Sequence, residues 1–193
     1  MTTYEAMLAR RTIRRFTQQP IDPEILKKAV NVARLAPVGV NAQSLKFVVV
    51  TTPALVEGVF DLTKWGAHLK DGSGTPKKPD ELPTAWIVIA HDTKIKENPM
   101  REDLGAAAEN IIIYAQSEGI SSCWLQNIKR DEIAAVLELP ENLQILACIA
   151  LGYAAMESRE APIPPSGETP YYWGADGVLE VPKRTLEDVM IER

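Results

Sequence analysis

At 193 residues and 21.3 kDa the chain has the length of one domain, with a folded surface expected near ~9,000 Å² against ~31,000 Å² unfolded, so it needs no disulfide or metal staple. Its 46% hydrophobic and 24% charged residues exclude a disordered chain. The net charge of −5 hides an asymmetry: residues 1–50 carry eight Lys/Arg against three Asp/Glu, the remainder 13 against 23, which argues against a nucleic-acid-binding face and points to a small anionic ligand.

In chain order, Thr2 and Glu5 form a capping box. Tyr4, Met7 and Leu8 recur at helical spacing, so the chain opens with a helix ending near Arg10. This opening lacks the apolar stretch of a secretory signal, and no run approaches the ~18 apolar residues of a membrane span; the expectation is a cytoplasmic protein without membrane contact. Asp22 as N-cap and Pro23 start a second helix, striped by Ile25, Leu26, Ala29, Val30 and Ala33 and stopped by Pro37 and Gly39. A loop from Pro37 to Ser44 leads into a buried strand, Phe47–Val50, and Pro53–Leu62 reads as a short helix. Residues 63–83, punctuated by glycines and prolines, read as a loop long enough to be a lid. A second strand covers Ala85–Ala90, and the longest helix runs from Arg101 to Glu118 with Gly119 to end it. Ser122–Leu125 is a third strand, Asp131 caps a helix through Leu137, and Ile145–Tyr153 is a fourth strand. Beyond Ala155 the chain reads as an extended arm, closing with a short helix over Thr185–Met190. The alternation suits one domain, a central sheet with helices on both faces. The long apolar helix and the arm suit a homodimer in which the arm embraces the partner.

Two segments carry recognisable chemistry. Arg10-Arg11-Thr12-Ile13-Arg14-Arg15 crowds four guanidiniums, tolerable where an anion neutralises them, since arginine forks match phosphate oxygens; the alternative is a solvated basic patch at a helix end. No glycine loop with GK[ST] accompanies it, which speaks against triphosphate hydrolysis. In the loop, Asn41 and Gln43 each offer an amide donor and acceptor, able together to read a cyclic imide edge. His68 and His91 stand apart without metal-ligand spacing, so no metal site is expected. Cys123 and Cys148, inside apolar strands, read as inert buried thiols of a reducing compartment. Glu109 reads as a partly buried carboxylate suited to pairing across a dimer. Trp65 and the Tyr171–Trp173 cluster stand in irregular segments where they could cover a planar ligand. With no acid, base or nucleophile set, the pattern fits a protein whose cofactor performs the reaction.

Arg10 through Phe16, the capped helix from Asp22 and Ala36-Pro37-Val38-Gly39-Val40-Asn41-Ala42-Gln43 together resemble the nitroreductase family of FMN-dependent oxidoreductases. Leu104 to Asn110, Glu118 to Leu125, Leu151-Gly152-Tyr153 and Pro182-Lys183-Arg184 are similar to that family as well. The resemblance implies an α+β, three-layer fold with a mixed, mostly antiparallel sheet. It also implies an intertwined homodimer whose C-terminal arm, residues 156–193, is exchanged onto the partner. Tightly bound FMN would lie in the interface. Arg10, Arg11, Thr12 and Arg14, with Lys183 and Arg184, would hold its phosphate, ribityl chain and pyrimidine edge, and Gln126 and Asn127 would approach the ring. Pro37, Val38, Gly39, Asn41 and Gln43 would come from the other subunit. The chain departs from the family in having Val38 and Gly39 where serine is frequent, Ser44-Leu45 after Gln43, and Gln126-Asn127 where glycines are frequent.

On this resemblance NADH or NADPH delivers hydride to the flavin, departs, and is replaced by a nitroaromatic or quinone-like acceptor, a ping-pong cycle in which no side chain carries the hydride. Arg11 is expected to stabilise the reduced ring. Trp65 and His68, in a lid of residues 61–82, are expected to shape acceptor choice. Other readings are a reductive dehalogenase or flavin-fragmenting enzyme of the same superfamily, or a flavin-binding dimer without turnover.

Overall fold

The computed structural model describes residues 1–69 and 71–193; Lys70, inside the expected lid, lies outside the described residues. Its central sheet consists of β1 (Leu45–Val50), β2 (Ala85–Asp92), β3 (Ser121–Leu125) and β4 (Leu143–Gly152), in the order β1-β2-β4-β3. Every neighbouring pair of these four strands is antiparallel, and the parallel element is the bridge that Thr12 makes to Ser122 on the β3 edge.

The two central strands explain the near-continuous apolar runs. Ile87 and Ile89 of β2, with Ile149 and Leu151 of β4, face a core closed by α2 (Pro23–Ala33) and α4 (Arg101–Ser117). Their neighbours Trp86, Val88, Cys148 and Ala150 face a second core, closed by α3 (Pro53–Asp61) and α5 (Arg130–Val136). A strand covered on both faces must be apolar at every position. The result is the expected three layers, with α1 (Thr3–Ala9) packed against α4. The capping box forms at Thr2 and Glu5, and Asp22 caps α2 through the Glu24 amide.

Three local expectations are corrected. Asp131 lies within the first turn of α5 and is not its cap. The helix start is set instead by backbone pairing just before it, where Ile128 bridges Thr63 and the Lys129 N–H donates to Leu62 O. Glu109 is exposed; the buried carboxylate of α4 is Asp103, which falls on the stripe of Leu104, Ala107, Ala108 and Ile111. The arm also differs. Residues 158–183 form a small sheet on their own chain, β5 (Ser158–Pro162), β6 (Tyr172–Trp173) and β7 (Leu179–Lys183) in the order β5-β7-β6, with β5 and β7 parallel. Leu179 and Ala161 bury into it. Past it, α6 (Leu186–Val189), capped by Thr185, leaves Leu186, Val189 and Ile191 exposed.

Candidate functional site

The arginine segment owes its course to β3 and β4. Helix α1 stops at Ala9, so the guanidiniums are not stacked on helical turns. The chain continues extended: Thr12 bridges Ser122, the Ile13 N–H donates to Ser122 O at 2.9 Å, and Phe16 bridges Ala154. Phe16 is completely buried and lies on Gly152, where a Cβ would stand 2.8 Å from its ring. A side chain at 152 would therefore push the segment off the sheet. Ile13 and Phe16 turn inward and the arginines remain outside.

Most of these arginines already have partners. Arg11 donates to Leu8 O and Arg10 O at 2.9 and 2.7 Å, neutralising carbonyls at the end of α1, and faces Glu160 at 3.5 Å. Arg14 stacks on Tyr171 with its guanidinium 4.5 Å from the ring centre. Arg15 stands 5.0 Å from the Trp173 ring, donates to Ser73 O at 3.0 Å and faces Glu81 at 3.5 Å. Trp173 Nε1 donates to Ser73 Oγ at 2.8 Å, and His68 meets the Tyr171 ring edge-on at 5.2 Å. His68, Ser73 and the Tyr171–Trp173 segment thus close together over Arg14 and Arg15, each cation–aromatic contact contributing ~0.5–1 kcal/mol. Arg10 makes no side-chain hydrogen bond or ion pair among the described residues; Lys183 and Arg184 are exposed where β7 ends.

The amide loop is built differently. Gly39–Asn41 forms a single 3-10 turn in which Val40 and Asn41 have φ of 48° and 54°, and Gln43 has φ of 53°. Left-handed backbone at non-glycine residues costs on the order of 1–2 kcal/mol each, and valine tolerates it worst. Val40 is also 93% exposed, so its own packing does not compensate. The loop is fixed at its two ends. Asp103 Oδ1 accepts the Gly39 N–H at 2.8 Å. Ser44, buried, lies 3.1 Å from Nδ1 of fully buried His91, whose Nε2 is 2.6 Å from Lys96 O. A carbonyl only accepts, so Nε2 carries a proton, and in the neutral ring Nδ1 then accepts from the Ser44 hydroxyl. Pro37, Asn41 and Gln43 are exposed, and Val38 and Gln43 border a cleft of about 190 Å³ with Arg34 and Phe47.

Gln126 and Asn127, exposed, follow β3, their carbonyls held by Arg130 at 3.1 Å and the Lys64 amide at 2.9 Å. Beside them a cleft of about 390 Å³ is lined by Met100, Arg101, Trp124 and Arg130.

The structure therefore does not bring all the expected residues together. Strand β1 is one edge of the sheet and β3 the other, and the register puts Ser44 and Ser122 at opposite ends. Three strand spacings across the sheet and about seven residues of rise along it separate these corners by about 27 Å. Trp65 is a core residue, 8% exposed between Phe60 and Trp86 with its Nε1 on Thr63 Oγ, and does not cover an open face as expected. His68, in contrast, is exposed. Burial pushes the thiols of Cys123 and Cys148 up to about 12, which leaves them un-ionised at neutral pH. Asp103 and the Ser44–His91 pair were not expected; a lone acid on the apolar stripe of α4 was the signal for the first, and the second has no signature in sequence.

The sequence model of the nitroreductase family matches residues 7–153. A relative from Archaeoglobus fulgidus, whose name proposes an NADH dehydrogenase/NAD(P)H nitroreductase, is 30% identical over 151 residues, 75% of this chain and 80% of its own. Among solved structures, a nitroreductase family protein from Clostridium novyi is 25% identical with a TM-score of 0.65, over 80% of this chain and 86% of that one. An FMN-dependent nitroreductase from Clostridium difficile is also 25% identical, with a TM-score of 0.63 over 79% and 87%.

Proposed function

The chain belongs to the nitroreductase family, and we propose that it is an FMN-dependent oxidoreductase that takes reducing equivalents from NADH or NADPH and passes them to a nitroaromatic or quinone-like acceptor by a ping-pong cycle. The observation that supports this reading most is the pair of separated corners: arginines suited to a phosphate at one, amides suited to an imide edge at the other. Two copies of the chain, each giving one corner, would complete a site that one copy leaves divided. The Clostridium difficile relative, an FMN-dependent nitroreductase by name, points the same way.

The donor set fits the flavin. Arg10, without a partner among the described residues, together with the exposed Lys183 and Arg184, would hold the phosphate. Arg11 reaches a ligand by leaving Glu160, a long, solvent-screened pair worth little. Thr12 and Arg14 line the same segment, Arg14 through its stack on Tyr171. Asn41 and Gln43 from the second copy would bond the imide edge, with Pro37, Val38 and Gly39 beneath the ring and Gln126 and Asn127 at its other end. When bound, the flavin supplies the hydride-accepting ring; the chain's own residues bind and orient it and leave one face open. His68, exposed, would border that face and shape acceptor choice.

A dimer is supported by the surface itself. The single chain exposes 11193 Å², against about 9,100 Å² for a monomer of this mass. Tyr4, Met7 and Leu8 of α1 and Leu186, Val189 and Ile191 near the C-terminus are exposed apolar side chains that a second copy would cover. Exchange onto the partner would involve the part of the 156–193 arm past the small sheet, since Tyr171 and Trp173 pack on Arg14 and Arg15 of the same chain.

The test is the absorption spectrum of the purified protein, then anaerobic bleaching by NADH or NADPH and recolouring by a quinone. A yellow dimer that bleaches and recolours is expected. A protein that takes up no flavin, or whose bound flavin neither nucleotide reduces, ends this reading.

A further inference from the structure

The Val38–Gln43 loop stands in a backbone shape that its own residues disfavour, and the only side-chain hydrogen bond from another element to its central turn, among the described residues, comes from Asp103. Asp103 is 3% exposed, an unusual place for a carboxylate. It lies in the first turn of the 17-residue α4, where the helix dipole favours an anion. Gly39 comes so near this turn that a Cβ there would stand 2.5 Å from Met100 Sδ. The charge-assisted bond at 2.8 Å fixes the point from which the left-handed residues depart, with the Met100 side chain packed against it. The far end of the loop is fixed separately, by Ser44 on His91.

We propose that Asp103 is a positioning residue: its carboxylate, by holding the Gly39 amide, keeps Val40, Asn41 and Gln43 left-handed and so presents the two amides to the ligand. It does not itself touch that ligand. This rests on the reading of Asn41 and Gln43 as flavin-edge residues, but the positioning part is a statement about the loop alone and is measurable without flavin.

Two experiments on the full chain test it, with Asp103→Ala and the milder Asp103→Asn as variants. In hydrogen exchange on the flavin-free protein, the Gly39 amide is protected in the wild type and loses at least tenfold protection in Asp103→Ala, while amides of β2 and β4 keep theirs. In titration with FMN, Asp103→Ala binds about tenfold or more weakly, as loss of a bond to a charged group implies. Adding Val40→Gly to either variant restores at least threefold of that loss, because glycine adopts the left-handed backbone without a clamp. A carboxylate that merely stabilised α4 would give no such rescue. Unchanged Gly39 exchange in both variants, or lost affinity that Val40→Gly leaves unrestored, overturns the proposal. If the wild type itself binds no FMN, the functional reading fails, and the exchange result decides the positioning role by itself.

Discussion

The two corners of the sheet reach their shapes by opposite routes. At the arginine corner the backbone follows β3 and β4 through ordinary extended hydrogen bonds, and Phe16 anchors it in the core. At the loop corner the backbone runs against its own preference and is held from outside by one carboxylate and one buried serine. The first geometry is inherited from the sheet and fails only when the sheet does. The second depends on a few contacts between elements distant in sequence, so it is the part of the molecule where small changes should alter binding before they alter folding.

The largest effect is expected from Phe16→Ala, which removes a fully buried ring. It should cost ~3–5 kcal/mol and lower the thermal midpoint by about 10 °C; a midpoint within a degree of wild type would mean that the arginine corner is not anchored as described. Arg10→Ala should weaken FMN binding by ~1.5–3 kcal/mol without moving that midpoint, read by flavin titration at two salt concentrations. Equal affinity would shift the phosphate to other residues. Val40→Gly should act the other way on the loop corner, raising stability by up to ~1 kcal/mol because the left-handed strain disappears. A loss of stability in denaturant unfolding would refute strain there. Tyr171→Leu should cost ~0.5–1 kcal/mol through the lost stack on Arg14, and should raise proteolysis next to His68, which packs on the same ring. A separate effect concerns pH, and it is silent near neutrality. Both thiols ionise near 9 when unfolded and near 12 when folded. Their contribution is thus fully present below pH 9 and is lost as pH rises towards 12. Native protein at pH 8 should resist alkylation at both cysteines, and rapid labelling before unfolding would contradict their burial.

Much of this was legible in the sequence. Caps at Thr2 and Asp22, the apolar stripe of α4 and the all-apolar β2 and β4 follow from local chemistry, and the structure keeps them within a residue or two. What was hidden depends on contacts between distant segments. The small sheet of β5, β6 and β7 pairs strands separated by up to about twenty residues through proline-rich turns, and no periodicity announces it. Trp65 occupies an irregular stretch yet enters the core, because Thr63 pairs with Ile128 and carries it inward. Of the candidate site, the residue types were readable but their commitments were not. Arg11 binds carbonyls of its own helix and Arg14 an aromatic ring, partners that a one-dimensional reading of charge does not contain.

The four tryptophans are distributed in a way that makes the molecule optically legible. Trp65 and Trp86 stand 6.0 Å apart in the layer under α3 and α5, Trp124 packs beside the opposite layer, and Trp173 rides on the arginine clasp. Phenylalanine replacements that leave one indole at a time would yield separate fluorescent reporters for the two interiors and for the clasp. The order in which those emissions change on heating would then tell whether the molecule melts as one body or sheds its clasp first.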